Sequence, residues 1–370
     1  MPINASFEYQ KAEEKYLQAK TIPEKVKCLE EMLKTAPKHK GAEVLVASIK
    51  SRLAKFRNLL DKEKQQRGKG FQISVKKEGS AQVVIVGLTN SGKSLLLSKL
   101  TNAKPEVAEY PHTTEKPEVG ILEYEGVSIQ MVEIPSIYKD FAYKGKGPQY
   151  FSIIRNCDLV IVLLDKTKNL DKQKDLIFNE FEKAQIKLNK KRPNIKIKKN
   201  SFGGINIVGE SLVQGPIEEA KKMIQDQGFH NVNIEIYERV KLDELIEVMN
   251  ESIAYLPSLI VINKDDFNKE KEFSISALKK INLDKLKKNI WEHLGLIRVF
   301  TKTPGKERDY PPVTLNKKSK VKDLARVIHK DFVKKFKFAR VWGKSIRFDG
   351  ATVGLDHELK DMDIVELHLK

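Results

Sequence analysis

Cysteine is nearly absent: Cys28 and Cys157 are the only two in 370 residues. They stand in different segments without a second thiol nearby. That excludes a disulfide framework and a thiolate zinc site, and fits reduced thiols. Long apolar runs are missing too. The longest, residues 159–164, falls far short of the roughly 20 residues that a spanning helix needs. No apolar signal segment opens the chain, so a cytoplasmic protein with no membrane partner is expected. Acidic charge is in deficit, with 50 Asp and Glu against 68 Lys and Arg, a net charge of +18. An excess of this size implies a polyanionic partner. Without a strongly amphipathic basic anchor, nucleic acid or a ribosomal surface fits better than a membrane.

What is present is organised around residues 82–100, QVVIVGLTNSGKSLLLSKL. Val83, Val84, Ile85 and Val86 suit a buried strand, and the spacing from Leu95 onward suits a helix. Between them lies G-x-x-x-x-G-K-S: Gly87, Gly92, Lys93 and Ser94. This is the phosphate-cradling loop in the strand–loop–helix context that it requires. Its glycines let several backbone N–H groups, with Asn90 and Ser91 in the loop, converge on one anion. The helix start near Lys93 adds its positive dipole end. Lys93 supplies a point charge to the outer phosphates, and the Ser94 hydroxyl is placed to ligate Mg²⁺. A nucleoside triphosphate is the expected ligand.

Residues 110–120 form a polar loop where such proteins keep the segment that senses the γ-phosphate. Thr114 is the first choice for a threonine joining Mg²⁺, and Thr113 the second. A hairpin over residues 121–134 ends in Glu133-Ile-Pro-Ser136, where GTPases usually carry Asp-x-x-Gly. Glu133 keeps the charge that holds Mg²⁺ through water, with one extra methylene. Ser136 keeps the N–H that meets the γ-phosphate but lacks glycine's latitude. Ile137 stands where a water-orienting glutamine is common and cannot do that work. Residues 140–149, with Gly145 and Gly147, read as a mobile second switch loop. A buried strand around residues 259–262 feeds Asn263-Lys264-Asp265-Asp266. Asn-Lys-x-Asp at a strand end selects guanine. Asp266 can accept from both the ring N1–H and the exocyclic amine, whereas adenine leaves that carboxylate unpaired. Asn263 and Lys264 brace the loop and cover the base, and Ser276 with Ala277 fits the last base-contacting loop.

Residues 1–66 read as a helical hairpin broken near Pro37. Its second helix carries the stripe Leu45, Ile49, Leu53, Phe56 and Leu60. The hairpin suits a partner- or RNA-contacting module and, equally, a pair packed on the next domain. Residues 183–199 hold eight Lys or Arg and no acid, which favours an anionic partner. Residues 201–237 read as a small α/β insert, with a helix at 242–249 leading back to the main sheet. From residue 296, strands at 297–301 and 313–315, a helix at 321–336 and short strands at 339–342, 345–348 and 364–369 suit a β-grasp module. Its residues 317–347 hold twelve Lys or Arg against Asp323 and Asp331, arguing for RNA or ribosome contact. Trp342 reads as a core residue rather than a base-stacking one. The domains are accordingly placed at 1–78, 79–167, 168–240 (the insert), 241–295 and 296–370.

Taken in order, these features resemble the developmentally regulated GTP-binding protein (DRG) family, in the Obg-like branch of translation-associated GTPases. The likeness runs through SRLAKFR at 51–57, LLSKLT at 96–101, Thr113 and Thr114 with Pro117 and Gly120, and Gly145-Lys146-Gly147. It continues through Lys187-Leu188-Asn189-Lys190, Pro193-Asn194, Gly203-Gly204-Ile205 and residues 263–266. FKFARVWG at 336–343, with Val353-Gly354-Leu355, looks like the family's TGS domain. The resemblance implies an α/β protein: a Ras-like P-loop GTPase domain with an α/β insert, an N-terminal helical hairpin and a C-terminal β-grasp (TGS) domain. It implies slow hydrolysis of GTP to GDP, Mg²⁺ as cofactor, ribosome association and a stabilising protein partner. It also implies K⁺ held at Asn90 in place of a catalytic side chain, giving Lys93, Thr114 and Asn90 as the catalytic set. Ile137 conforms to the family, whereas Glu133, Ser136 and Leu88-Thr89 depart from it. Those departures leave an alternative open, a GTP-binding scaffold for RNA or ribosomes that does not hydrolyse.

Overall fold

All seven residues of the strand Ala81–Gly87 are buried, as a β-branched run covered on both faces requires. Around it the nucleotide sheet runs in the order Ser258–Asn263, Leu159–Asp165, Ala81–Gly87, Val127–Glu133, Glu118–Tyr124, Glu106–Val107. The first four strands are parallel and the last two join antiparallel. Glu125 and Gly126 close the hairpin with φ of 47° and 84°, the left-handed pair of a tight two-residue turn. The helices Lys93–Leu100 and Leu283–Leu294 bury Leu96, Leu97, Leu100, Leu286 and Ile290 in one core with the sheet. In such a sheet, ligands bind outside the carboxyl ends of the strands. Gly87, Glu133 and Asn263 all stand at those ends.

The computed structural model describes residues 7–19, 22–37, 42–67, 73–101, 106–107, 117–250, 252–267 and 273–370. Thr113 and Thr114 lie outside the described residues. The chain divides into two units, residues 73–190 with 256–370 and residues 1–72 with 191–255.

The first unit also contains the β-grasp module. Its sheet runs Val313–Asn316, Leu296–Thr301, Asp363–Leu369, Phe336–Trp342, Ala351–Val353, covered by the helix Val321–Ile328 through Val321, Leu324 and Ala325. Three expectations change here. The helix at 321–336 is interrupted at His329, whose backbone is extended. A second short helix, Lys330–Lys334, follows it. Residues 345–348 form no strand; the strand comes at Ala351–Val353, after Gly350 at φ 80°. Trp342 is half-buried and outside the core. Strand alternation turns Ala339 and Val341 inward and so turns Trp342 out. There Lys302 Nζ lies 4.5 Å from its ring centroid.

The second unit holds the helices Phe7–Gln18, Ile22–Thr35 and Glu43–Arg67. The pair read from the sequence is present, with a further helix before it, and Tyr9, Ala12, Leu29, Met32, Ile49 and Leu53 pack among them. The insert's sheet runs Ile195–Lys199, Val232–Ile236, Ile205–Val208. Ala47 of Glu43–Arg67 enters the insert's core beside Met223, Ile224, Leu245 and Met249, and Lys50 pairs with Asp243 at 2.9 Å. The hairpin therefore packs on the insert. The insert's expected bounds of 168 and 240 divide differently. Leu170–Lys183 buries Ile177 and Phe181 within the nucleotide unit, whereas Leu242–Met249 buries Leu245 and Met249 in the insert's core.

Candidate functional site

The loop after Ala81–Gly87 is shaped by backbone that only certain residues tolerate. Asn90 is left-handed at φ 65°, which asparagine tolerates better than most residues. Gly92 has φ 90°, and a Cβ there would fall 2.4 Å from Asn263 Nδ2, so glycine is required. The helix Lys93–Leu100 begins immediately after it, aiming its first N–H groups at the loop. Asn90 is exposed, whereas Ser91 and Lys93 are buried.

Lys93 Nζ donates to Ser136 Oγ at 3.0 Å, Leu88 O at 3.1 Å and Gly87 O at 3.4 Å. Burial lowers the lysine's pKa, and the Glu133 charge partly opposes that shift. Ser94 Oγ donates to Glu133 Oε1 at 2.8 Å. Glu133 is itself buried, and its Oε2 has no hydrogen-bond partner among the described residues. Burial raises its pKa, Glu118 pushes the same way, and Ser94 and Lys93 counteract. The structure thus gathers Lys93, Ser94, Glu133 and Ser136 around one point. Ile137, 1% exposed, packs into the core while its N–H donates to Gly87 O at 3.1 Å.

The loops beyond the strand Ser258–Asn263 are held by Asn263, which is buried. Its Nδ2 donates to Ser91 O at 2.9 Å, and its Oδ1 accepts from the Ala277 N–H at 3.1 Å. One side chain thereby ties the phosphate loop to the loop that carries Ser276 and Ala277. Asp266 is half-buried, with Ser276 Oγ donating to its Oδ1 at 2.6 Å and Lys279 Nζ 3.9 Å from Oδ2. Lys264, left-handed at φ 67°, reaches Asp165 Oδ2 at 2.7 Å.

Family models match nearly the whole nucleotide-binding and C-terminal part of the chain. A 50S ribosome-binding GTPase model covers residues 82–200, a model for the C-terminal region of that domain covers 202–296, and the TGS domain covers 297–369. An uncharacterized GTP-binding protein of Methanocaldococcus jannaschii is 37% identical, over 94% of this chain and 93% of its own. Developmentally-regulated GTP-binding protein 1 of Xenopus laevis is 35% identical over 91% and 96%. Developmentally-regulated G-protein 3 of Arabidopsis thaliana is 34% identical over 94% and 98%. The chain belongs to the DRG family.

This DRG-family GTP-binding protein carries supports that the motifs leave out. Lys264 reaches Asp165 while Lys166 reaches Asp265 Oδ1 at 2.8 Å, so two adjacent strand ends exchange lysines across two buried carboxylates. Burial alone would raise the Asp165 pKa, but Lys264 and Thr167 outweigh it and hold the carboxyl below its usual range. Ser274 Oγ donates to Asp265 Oδ2 at 2.7 Å, giving the x of N-K-x-D a bracing role. The second switch segment is tied down rather than loose. Buried Glu180 accepts from the Asp140 and Ala142 N–H groups at 2.8 and 3.0 Å, and Phe141 packs on Tyr150 and Phe151. Among the described residues, no helix is long and apolar enough to cross a membrane.

Proposed function

We propose that this DRG-family protein is a Mg²⁺-dependent GTPase that converts GTP to GDP and phosphate, acting as a nucleotide-controlled cytoplasmic factor on ribosomes or RNA in translation. The carrying observation is Asn263, whose two hydrogen bonds make the phosphate loop and the base loop one rigid receptor. Such preorganisation contributes through positioning more than through chemistry by any one side chain. Asp266 accepts the two guanine donors. Lys264 covers the base, and Ser276 and Ala277 complete its loop. Lys93 turns from Ser136 toward the outer phosphates, while the N–H groups of the Gly87–Ser94 loop face them. The Ser136 N–H faces the γ-phosphate.

Ser94 and Glu133 fit a hard cation: a hydroxyl and a buried carboxylate with an unpartnered oxygen stand side by side. With phosphate oxygens completing the shell, that is the donor set Mg²⁺ takes. Thr114 is the further ligand proposed from the sequence. When bound, the ion supplies positive charge against the β- and γ-phosphate oxygens. With Ile137 buried, backbone groups position the attacking water, and Asn90 contributes through the K⁺ it would hold.

The basic surfaces support the RNA part of this reading. Lys196, Lys198 and Lys199 are exposed on the insert's edge strand, as are Lys337 and Arg340 on the TGS sheet. Such side chains bind phosphates in a salt-dependent way. A non-hydrolysing scaffold is the competing reading, favoured by the bond that keeps Lys93 on Ser136. Cosedimentation with ribosomes, run with phosphate release on the same preparation, separates the two. GTP-dependent binding with ribosome-stimulated release supports the proposal. Binding without release would replace it with the scaffold.

A further inference from the structure

We propose that Glu133 ligates the nucleotide's divalent cation directly, as an inner-sphere partner of Ser94, rather than through an intervening water. The inference rests on the reading of this site as a Mg²⁺–guanine nucleotide site. It concerns the one position where this chain puts a longer carboxylate at the second-switch motif.

Three observations carry it. First, Ser94 Oγ and Glu133 Oε1 are 2.8 Å apart. Adjacent ligands of an octahedral Mg²⁺ with bonds of roughly 2.0–2.1 Å lie about 2.9 Å apart. The two oxygens already stand at the edge length of one coordination sphere, so little movement is needed for both to bind one ion. Second, Glu133 is 8% exposed, yet its Oε2 has no hydrogen-bond partner among the described residues. A buried carboxylate with one oxygen left unpaired is poorly compensated, and a cation bound through Oε1 beside Ser94 would neutralise the charge of the whole group. Third, Glu118 stands directly opposite Glu133 in the antiparallel register. Like charges facing each other across two strands are unfavourable without a positive charge between or beside them.

The extra methylene decides the geometry. An aspartate on the same backbone would stop short of Ser94 by about one C–C bond, leaving room for a water in the shell. Glutamate fills that place with its own oxygen. Mg²⁺ dehydrates reluctantly, and one or two carboxylates are what it accepts alongside phosphate oxygens. Direct ligation therefore exchanges one water for one carboxylate oxygen and leaves the remaining waters in place.

The test uses the full chain with GDP and Mn²⁺ as the spectroscopic probe for Mg²⁺. Pulsed electron paramagnetic resonance in ¹⁷O-enriched water counts the waters bound to Mn²⁺ in wild type and in Glu133→Asp. Inner-sphere ligation gives one water fewer in wild type than in the aspartate variant. Equal counts overturn the proposal while leaving the nucleotide site intact. Absence of GDP-dependent Mn²⁺ binding in wild type overturns both the proposal and the site reading. A titration of Mn²⁺ into the GDP complexes of wild type and Glu133→Gln gives a second readout. Loss of the carboxylate should weaken Mn²⁺ affinity by about tenfold or more; a carboxylate acting through water would give a similar loss, so the water count separates the two arrangements. An unchanged affinity in Glu133→Gln contradicts direct ligation.

Discussion

Replacing Ser136 with alanine should tighten GDP binding by about an order of magnitude. In the structure the Lys93 ammonium has three oxygen acceptors. Ser136 Oγ at 3.0 Å is the nearest, ahead of Leu88 O at 3.1 Å and Gly87 O at 3.4 Å. The lysine is 6% exposed, so water is poorly placed to replace a lost acceptor. To meet a phosphate, the ammonium must give up the serine hydroxyl. A hydrogen bond to a charged group contributes roughly 1.5–3 kcal/mol, and the lower end applies here because the acceptor is a neutral hydroxyl. Removing it destabilises the free state by about 1.5 kcal/mol and leaves the GDP complex nearly unchanged, which is about tenfold in affinity. GDP is the right ligand because it has no γ-phosphate with which the serine could form a new bond. Stopped-flow binding of a fluorescent GDP analogue to wild type and Ser136→Ala measures the effect, with thermal unfolding as the control for folding. Equal or weaker GDP affinity in the alanine variant would refute the claim that Ser136 competes with phosphate for Lys93.

Other outcomes follow from the same geometry. Asp266→Asn should move base preference from guanosine to xanthosine nucleotides, because the amide offers a donor where guanine presents donors; unchanged GTP affinity would sink the base assignment. Asp140, its pKa lowered to about 2 chiefly by its Lys183 hydrogen bond and then by Lys144, titrates in the folded protein below its unfolded value of about 3.9. Its contribution to stability is therefore full above about pH 4 and is lost as pH falls toward 2. Asp140→Asn should flatten the fall in stability over that window in acid unfolding curves, and an unaltered slope would count against the Lys183 pairing. A Cβ added at Gly147 would fall 1.6 Å from Phe141 O. Gly147→Ala must therefore displace the second-switch segment, and amide exchange there should speed up at Asp140 and Ala142. If K⁺ and Na⁺ support equal turnover, Asn90 does not hold a catalytic K⁺.

The site was legible where chemistry is written in short spacings. Gly87, Gly92, Lys93 and Ser94, and then Asn263 with Asp266, lie within single loops. Their residue types follow from backbone conformation and from hydrogen-bond patterns that nothing else satisfies. What escaped was long-range pairing. The Lys166–Asp265 and Lys264–Asp165 exchange joins residues 99 positions apart, and no local period marks it. The same holds for Glu180, whose backbone N–H donors 38 and 40 residues away make an anchored segment of a glycine- and lysine-rich stretch that reads as loose. Glu43–Arg67 shows the limit from the packing side. Its stripe Ile49 and Leu53 serves the helical core, while Ala47 serves the insert's core. The sequence marks the apolar positions but not which partner each will meet. Trp342 was misplaced because an aromatic on a strand favours burial in general, whereas alternation with Ala339 and Val341 fixes the face in particular.

The most direct test of the central claim is single-turnover hydrolysis of GTP by the full chain in K⁺ and Mg²⁺, with and without ribosomes, beside Lys93→Ala. The proposed function predicts phosphate release in wild type that ribosomes accelerate and that the Lys93 variant loses. Tight GTP binding with no release under any of these conditions would contradict it and leave a nucleotide-binding scaffold in its place.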